Sequence, residues 1–492
     1  MGTNQRSKPF FLCFDVGSSS IKAGIIDVDG NLLAWEHEGL LGAAEANLEN
    51  WNPELWLSAL RKVTGRLLNA AALGGGRALH PAGAVGGRGT FPGVGALAGA
   101  VFSGNGPTIV GTDERGMTVG AAELWLNHRE LRRDGTSSFF LPKIAWLKEN
   151  RPDLYECTAT YFSFPEFLYF RACGEKVTIT PSAEFTRFYW TGEELAAYGI
   201  AEDKVSPFVR VGERIGAVGA KGSEATGLPE GTPLYAGGSD FLMSLLGTGA
   251  VRPGVTCDRA GTSEGINTCV AQERQSPRIR CLPHVIEGLY NAAGILSSTG
   301  RIFEWFRSIS GQEGKSYGEM IREILELGHD RAIPLFFPSL HAGETWEFSG
   351  AIFSGLEPDH GPREMGRAVV LSIGFGVRDL VETLEASSCR INALRACGGQ
   401  ARNALWNQMK ADIIGKEIAV PAIVDAELLG DACAGFTGIG EFGSLREGSE
   451  RLVAIERRFH PDEAEHRRYS EEYAAYEERC RRIMAASIET AR

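Results

Sequence analysis

Near the start of the chain, Phe14-Asp15-Val16-Gly17-Ser18-Ser19-Ser20-Ile21-Lys22 sets an acid, a run of small residues and a lysine between two strand-like segments, Phe10 to Phe14 and Ile21 to Asp27. A hairpin tip of this composition exposes backbone N–H groups beside small side chains, which is what a polyphosphate needs. Asp15, just before the tip, has the chemistry to hold a hydrated Mg²⁺, and Lys22, just after it, to offset phosphate charge. The same residues also read as an ordinary Gly/Ser turn. A second unit of the same type lies halfway along: Val255 to Arg259, the turn Gly261-Thr262-Ser263, and Gly265 to Val270. The repeat favours the phosphate reading and suggests an internal duplication.

The elements that must position these turns are set by residue spacing. Residues 10 to 38 read as three strands, with Asp29-Gly30 as a tight turn between the second and third. Trp56, Leu60, Val63 and Leu67 recur at helical spacing within a helix over Trp51 to Leu68. Residues 71 to 106 are rich in glycine and alanine, and Gly86-Gly87-Arg88-Gly89-Thr90-Phe91-Pro92 reads either as a surface loop or as a place where a ligand approaches backbone. Ile109 to Arg115 reads as a strand ending in Asp113-Glu114-Arg115, and Gly237-Gly238-Ser239-Asp240 precedes a helix from Phe241 to Leu246. Further helices are expected at Leu141 to Glu149, Arg301 to Ile309, Tyr317 to Leu327, Arg363 to Leu384, Leu405 to Ile414 and Asp425 to Phe436. A charged amphipathic helix over Pro461 to Ile488 should pack through Tyr469, Tyr473 and Tyr476. Two similar α/β domains are expected, 1–252 and 253–492.

Bulk properties narrow the function classes. A chain of 492 residues exceeds one core. Its net charge of −12, without a long basic run, argues against nucleic acid or an anionic membrane as partner. The ten cysteines include no C-x-x-C pair, so they read as small buried hydrophobes of a reducing compartment rather than as a zinc or redox site. Met1 to Lys8 lacks the apolar core of a signal peptide, and Gly89 to Val101, apolar but glycine-rich and broken by Pro92, is no membrane span. A cytoplasmic location is expected.

An ordered set of motifs resembles the FGGY family of carbohydrate kinases. It comprises Asp15 to Lys22; Gly237-Gly238-x-Asp240 with Leu246-Gly247-x-Gly249; Gly261-Thr262-Ser263; and Lys143 to Asn150, similar to the family's first signature. Ala351 to Leu356 with Glu364-Met365-x-x-Ala368-Val369-Val370 is similar to the second signature, and Gly398-Gly399-Gln400-Ala401-Arg402-Asn403-x-Leu405-Trp406 to the adenosine loop. The resemblance implies two actin-like (ribonuclease H-like) ATPase domains with a cleft between them. The activity it implies is phosphoryl transfer from ATP, with Mg²⁺, to an alcohol group of a sugar or polyol.

It also implies roles. Asp240 would be the base that takes the proton of the attacking hydroxyl, its helix start favouring the ionised form; the alternative is a plain N-cap. Asp15 (also the metal-holding acid), Gly17, Ser18, Ser19 and Lys22 would bind phosphate from one domain, and Gly261, Thr262 and Ser263 would clamp the γ-phosphate from the other. Gly300, Gly398, Gly399 and Asn403 would bound the adenine and ribose, Asn403 reading equally as a helix cap. Arg88, Asp113, Arg115 and Asp240 would meet the sugar, with a surface ion pair as the other reading of Asp113 and Arg115.

Several positions depart from the family pattern. Ser18 replaces a threonine, Gln400 a glycine, Phe140 a Pro, Ser or Thr, and Leu371 an acid; Thr178-Ile179-Thr180 stands in place of a frequent Thr-Asp pair. Gly87-Arg88-Gly89-Thr90-Phe91 occupies the region of the Met-His-Gly segment of xylulokinases. The substrate expected first is a ketopentose such as xylulose, with glycerol, ribulose or gluconate as alternatives. A non-catalytic or regulatory ATP-binding switch is the reading from another class. Family members are often dimers, so a homodimer is implied.

Overall fold

Phe10–Val16 is buried at every position, as a strand covered on both faces must be. In the computed structural model, which describes residues 8–40, 50–72, 96–125, 127, 129–327, 331–339 and 348–490, this strand lies inside a six-stranded sheet. Its order is Arg214–Ala217, Pro233–Ser239, Leu97–Gly104, Phe10–Val16, Ser20–Asp27, Leu32–Gly39. The last three form the expected antiparallel meander. Its second turn closes where Asp27 Oδ1 accepts the Asp29 and Asn31 N–H groups at 3.1 and 2.9 Å and Gly30 takes φ 82°. Leu97–Gly104 runs parallel to Phe10–Val16, and Pro233–Ser239 parallel to Leu97–Gly104.

A seven-stranded sheet repeats this pattern. Its order is Arg280–Pro283, Tyr290–Leu296, Glu264–Val270, Val255–Ala260, Ala393–Cys397, Glu417–Pro421, Ile455–Phe459. Here too an antiparallel meander is followed by two parallel strands and an antiparallel edge. The duplication suggested by the two turns therefore extends to strand order and direction.

The chain divides into two compact units, but not at a single cut. The first comprises Met1–Val251, Pro283–Gly288 and Ala426–Ala454; the second comprises Arg252–Leu282, Leu289–Asp425 and Ile455–Arg492. The helix Ala426–Gly438 thus returns to the first unit, where the Phe436 ring meets that of Phe11 at 4.9 Å. It also lies backbone to backbone against the helix Asp240–Thr248. A Cβ on Gly247 would sit 1.8 Å from the Ala426 carbonyl oxygen, and one on Gly430 2.1 Å from that of Met243.

Among the element boundaries that differ from expectation, two have clear local reasons. The first helix is Glu54–Ala72, because Asn52 Oδ1 accepts the Glu54 N–H at 3.0 Å and Trp51 is drawn into a bridge with Ala122. The strand expected to reach Arg115 stops at Thr112, where Asp113 Oδ1 accepts the N–H groups of Arg115 and Met117 at 2.9 and 2.8 Å. In the second unit, the terminal helix Glu463–Thr490 buries Tyr469 and Tyr473 and stacks Tyr476 on Phe337 at 4.7 Å, as its spacing predicts. None of the ten cysteines is in a disulfide. Among the described residues, no helix is long and apolar enough to cross a membrane.

Candidate active site

Asp15 is the next-to-last residue of its strand and is buried. The tip beyond it closes through Gly17 N–H to Ser20 O at 2.9 Å, leaving the N–H groups of Ser18 and Ser19 outside both strand ladders. Trp56 steadies the tip from the first helix by donating its indole N–H to Gly17 O at 3.1 Å. Lys22, opposite Asp15 in the hairpin register, places Nζ 3.3 Å from Asp15 Oδ2. Burial drives the Asp15 carboxyl up to about 7; Lys22 opposes this, and the charges of Glu427 and Asp240 add to it. Asp15, Asp240 and Glu427 therefore share one electrostatic environment within the first unit.

Asp240 is the first residue of its helix, and the N–H of Phe241 holds its Oδ1 at 2.7 Å. Ser239 occupies the cap position without a side-chain bond, so Asp240 is not a plain N-cap. The strand leading to it carries a register irregularity between Ala236 and Gly238. A Cβ on Gly237 would lie 2.2 Å from Phe102 O, which is why glycine stands at this point. The buried Tyr169 hydroxyl accepts the N–H groups of Phe102 and Gly237 at 2.8 and 3.0 Å and donates to Tyr235 O at 2.6 Å. A bulge of this kind re-aims the side chains beyond it, and here the side chain so aimed is Asp240.

Two acids of this half-site are absent from the motifs. Glu427 and Asp431 lie one turn apart on the returning helix, whose residues Ala426 to Phe436 are all buried. Ser244, one turn after Asp240, has its hydroxyl 2.9 Å from both Asp240 O and Glu427 Oε1. Ser103, paired with Asp15 across the sheet, donates to Asp431 Oδ2 at 3.0 Å. Burial, reinforced by Asp15 and Glu427, raises the Asp431 carboxyl well above the usual range. Two carboxyls at helical spacing in an otherwise apolar run were the available signal.

The second unit carries the other turn. Gly261 N–H bonds Ser263 O at 2.9 Å, and Arg301 N–H bonds Thr262 O at 3.2 Å, so the helix Thr299–Ile309 starts on the tip. Gly300 and Gly398 make this contact sterically feasible: their Cβ atoms would lie 2.3 Å from Gly261 O and 2.5 Å from Ala260 O. Gln400 adds bonds from Nε2 to Gly261 O and Thr299 Oγ1, each 3.2 Å, which accounts for an amide where the family often has glycine. Gly399 has open space at its α-carbon. Asn403 caps the helix Ala404–Ile414, its Oδ1 accepting Trp406 N–H at 3.1 Å. Behind the turn, buried Lys410 bonds Asp258 Oδ2 at 2.5 Å and also Glu264.

Other positions have structural duties. Arg88 lies outside the described residues. Asp113 closes its own turn, and Arg115 is exposed. Lys143 of the first signature is buried and donates to Leu124 O and Asn127 O at 3.1 and 2.6 Å. Phe140 stacks on Tyr189 at 4.9 Å, and Leu371 is buried in the second unit's core. Glu357, Asp359 and His360 lie close enough together to share an ion, but His360 Nδ1 already accepts the Glu357 N–H and Asp359 pairs with Arg331.

Two sheets of one topology, each with a phosphate-type turn between its first strands, define a two-domain actin-like ATPase fold of the sugar-kinase kind. The N-terminal domain of the FGGY family of carbohydrate kinases matches residues 122–247 and its C-terminal domain matches residues 259–439. The chain belongs to the FGGY family and is an ATP-dependent sugar kinase. It is 27% identical to an autoinducer-2 kinase of Klebsiella pneumoniae, covering 94% of this chain and 92% of that one. The fold is shared with a gluconate kinase of Lactobacillus acidophilus (TM-score 0.78, 19% identity, 97% and 99% of the two chains). It is shared equally with a ligand-bound xylulose kinase of the same organism (TM-score 0.78, 19% identity, 98% and 100%).

Proposed function

We propose that this kinase transfers the γ-phosphoryl group of Mg-ATP to a hydroxyl of a small polyhydroxylated substrate, with ketopentoses such as xylulose the first class to test. The observation that carries this reading is the sheet register that sets Asp15 beside Ser103 and Ser103 beside Gly238, two residues before Asp240, so that an acid suited to a metal and an acid suited to a base lie at the same end of one sheet. Asp240 takes the proton of the attacking hydroxyl, its carboxylate oriented by Phe241 N–H. Asp15 suits a hydrated Mg²⁺, since hard carboxylate oxygens are its usual donors and the buried Oε2 of Glu427 is without a partner. Bound there, the ion would offset phosphate charge. Within the first unit, Gly17, Ser18, Ser19 and Lys22 suit the binding of phosphate. Within the second unit, Gly261, Thr262 and Ser263 suit it too, with Gly300 and Gly398 allowing that turn its position. Gly399 and Asn403 border the adenosine, and Arg88, Asp113 and Arg115 contribute to sugar binding.

The relatives leave the acceptor open among autoinducer-2, gluconate and xylulose. ADP release should be measured across ketopentoses, aldonates, glycerol and autoinducer-2. Substrate-stimulated release with a ketopentose supports the reading. Stimulation by another acceptor alone moves the substrate class, and a rate indifferent to every acceptor defeats the kinase mechanism.

A further inference from the structure

Glu427 reaches the Asp15 half-site from a distant part of the chain and is built into it from two sides. Its Oε1 is held 2.9 Å from the Ser244 hydroxyl, one turn beyond Asp240. One turn along its own helix, Asp431 bonds Ser103, the cross-sheet neighbour of Asp15. Its remaining oxygen, Oε2, is buried without a hydrogen-bond partner, in a residue 4% exposed. A buried carboxylate oxygen with nothing to bind is costly unless a cation or donor completes it. Asp431 also has an unpartnered oxygen, but that residue is wholly enclosed. Lys22 sets a single positive charge beside Asp15, against the carboxylates of Asp15, Asp240 and Glu427. A divalent cation is the chemistry that balances such a set.

We propose that Glu427 is a further carboxylate of the metal–nucleotide site, its Oε2 facing the hydrated cation that Asp15 also holds while Ser244 fixes Oε1. The proposal rests on the reading of Asp15 as the metal-holding acid. It gives the returning helix a direct part in binding the metal, beyond packing against the sheet.

The test is Mn²⁺ binding to the full chain in the presence of ADP, followed by the electron paramagnetic resonance of free Mn²⁺. Asp15→Asn and Glu427→Gln should each weaken binding about tenfold or more. Glu427→Asp, which keeps the charge on a shorter arm, should fall between Glu427→Gln and the parent. If Asp15→Asn weakens binding and Glu427→Gln does not, the proposal fails while the reading of Asp15 stands. If neither weakens it, both fail. Should Glu427→Gln not fold, Glu427→Asp decides alone: Mn²⁺ affinity equal to the parent's overturns the proposal, and a reduced affinity supports it.

Discussion

The hydroxyl of Tyr169 accepts the N–H of Gly237 at 3.0 Å, three residues before Asp240. It also accepts the N–H of Phe102, so one phenol satisfies both sides of the irregular step in the sheet. Tyr169→Phe keeps the ring and removes the bonds. Each buried group left unpaired costs about 1–3 kcal/mol, so denaturant unfolding should show a clear loss of stability. Because the step aims Asp240, kcat should fall further than KM for ATP rises. A variant with parental kcat would show that the step does not position the base.

Asp240→Asn preserves shape and the Phe241 N–H contact but removes the proposed proton acceptor. Turnover should fall by about 10²–10⁴-fold, the usual contribution of a general base, while ADP binding measured by calorimetry persists. Turnover equal to the parent's would remove Asp240 from the mechanism.

His284 supplies a pH dependence. It is buried, with Nε2 2.9 Å from Ala250 O and Nδ1 accepting Ile286 N–H at 3.0 Å, which fixes the neutral ring. Burial is the main cause that lowers its pKa to about 4, with Arg446 adding to it and the Ala250 contact opposing. A folded pKa below the unfolded value of 6.5 means that its contribution is complete above pH 6.5 and is lost as pH falls toward 4. Its size is about 3 kcal/mol, at roughly 1.4 kcal/mol per pKa unit. The difference in unfolding free energy between the parent and His284→Gln should therefore narrow by about that amount across the window. A difference independent of pH would refute the assignment.

Lys410 is a test of buried charge. Together with Asp258 and Glu264 it is sealed from solvent, and the Glu264 carboxyl is pushed up to about 8, mainly by burial. Lys410→Met leaves two carboxyl groups without their cation and should cost about 3–5 kcal/mol. Adding Asp258→Asn and Glu264→Gln should return part of that stability. Chemical denaturation of the single and triple variants would measure both effects, and a triple variant no more stable than the single one would contradict the expected charge balance.

Both hairpin turns and the helix start at Asp240 were legible because each is a contiguous run whose small residues, hydroxyls and acids close one local turn. The helices were legible from apolar spacing, but the first begins late because Asn52 captures a backbone N–H, and the strand before Asp113 ends early because Asp113 does the same. The partners of Glu427, Asp431 and Lys410 were not legible, although two carboxyls in an apolar run mark the helix of the first two. Glu427 meets Ser244 across 183 residues, and Lys410 meets Asp258 across 152. No local pattern encodes such contacts. The return of the helix Ala426–Gly438 to the first unit is hidden for the same reason, since packing of Gly430 on Met243 is visible only in three dimensions.

The return of Ala426–Ala454 to the first unit sets an order on biosynthesis. When the ribosome has delivered the first 251 residues, the sheet face that Phe436 covers at Phe11 is still bare, and Glu427 and Asp431 have not been made. Domains usually fold as units during synthesis, the N-terminal one first. In this chain the first unit waits for almost the entire polypeptide, so nascent chains stalled before residue 426 should present an apolar surface that chaperones bind.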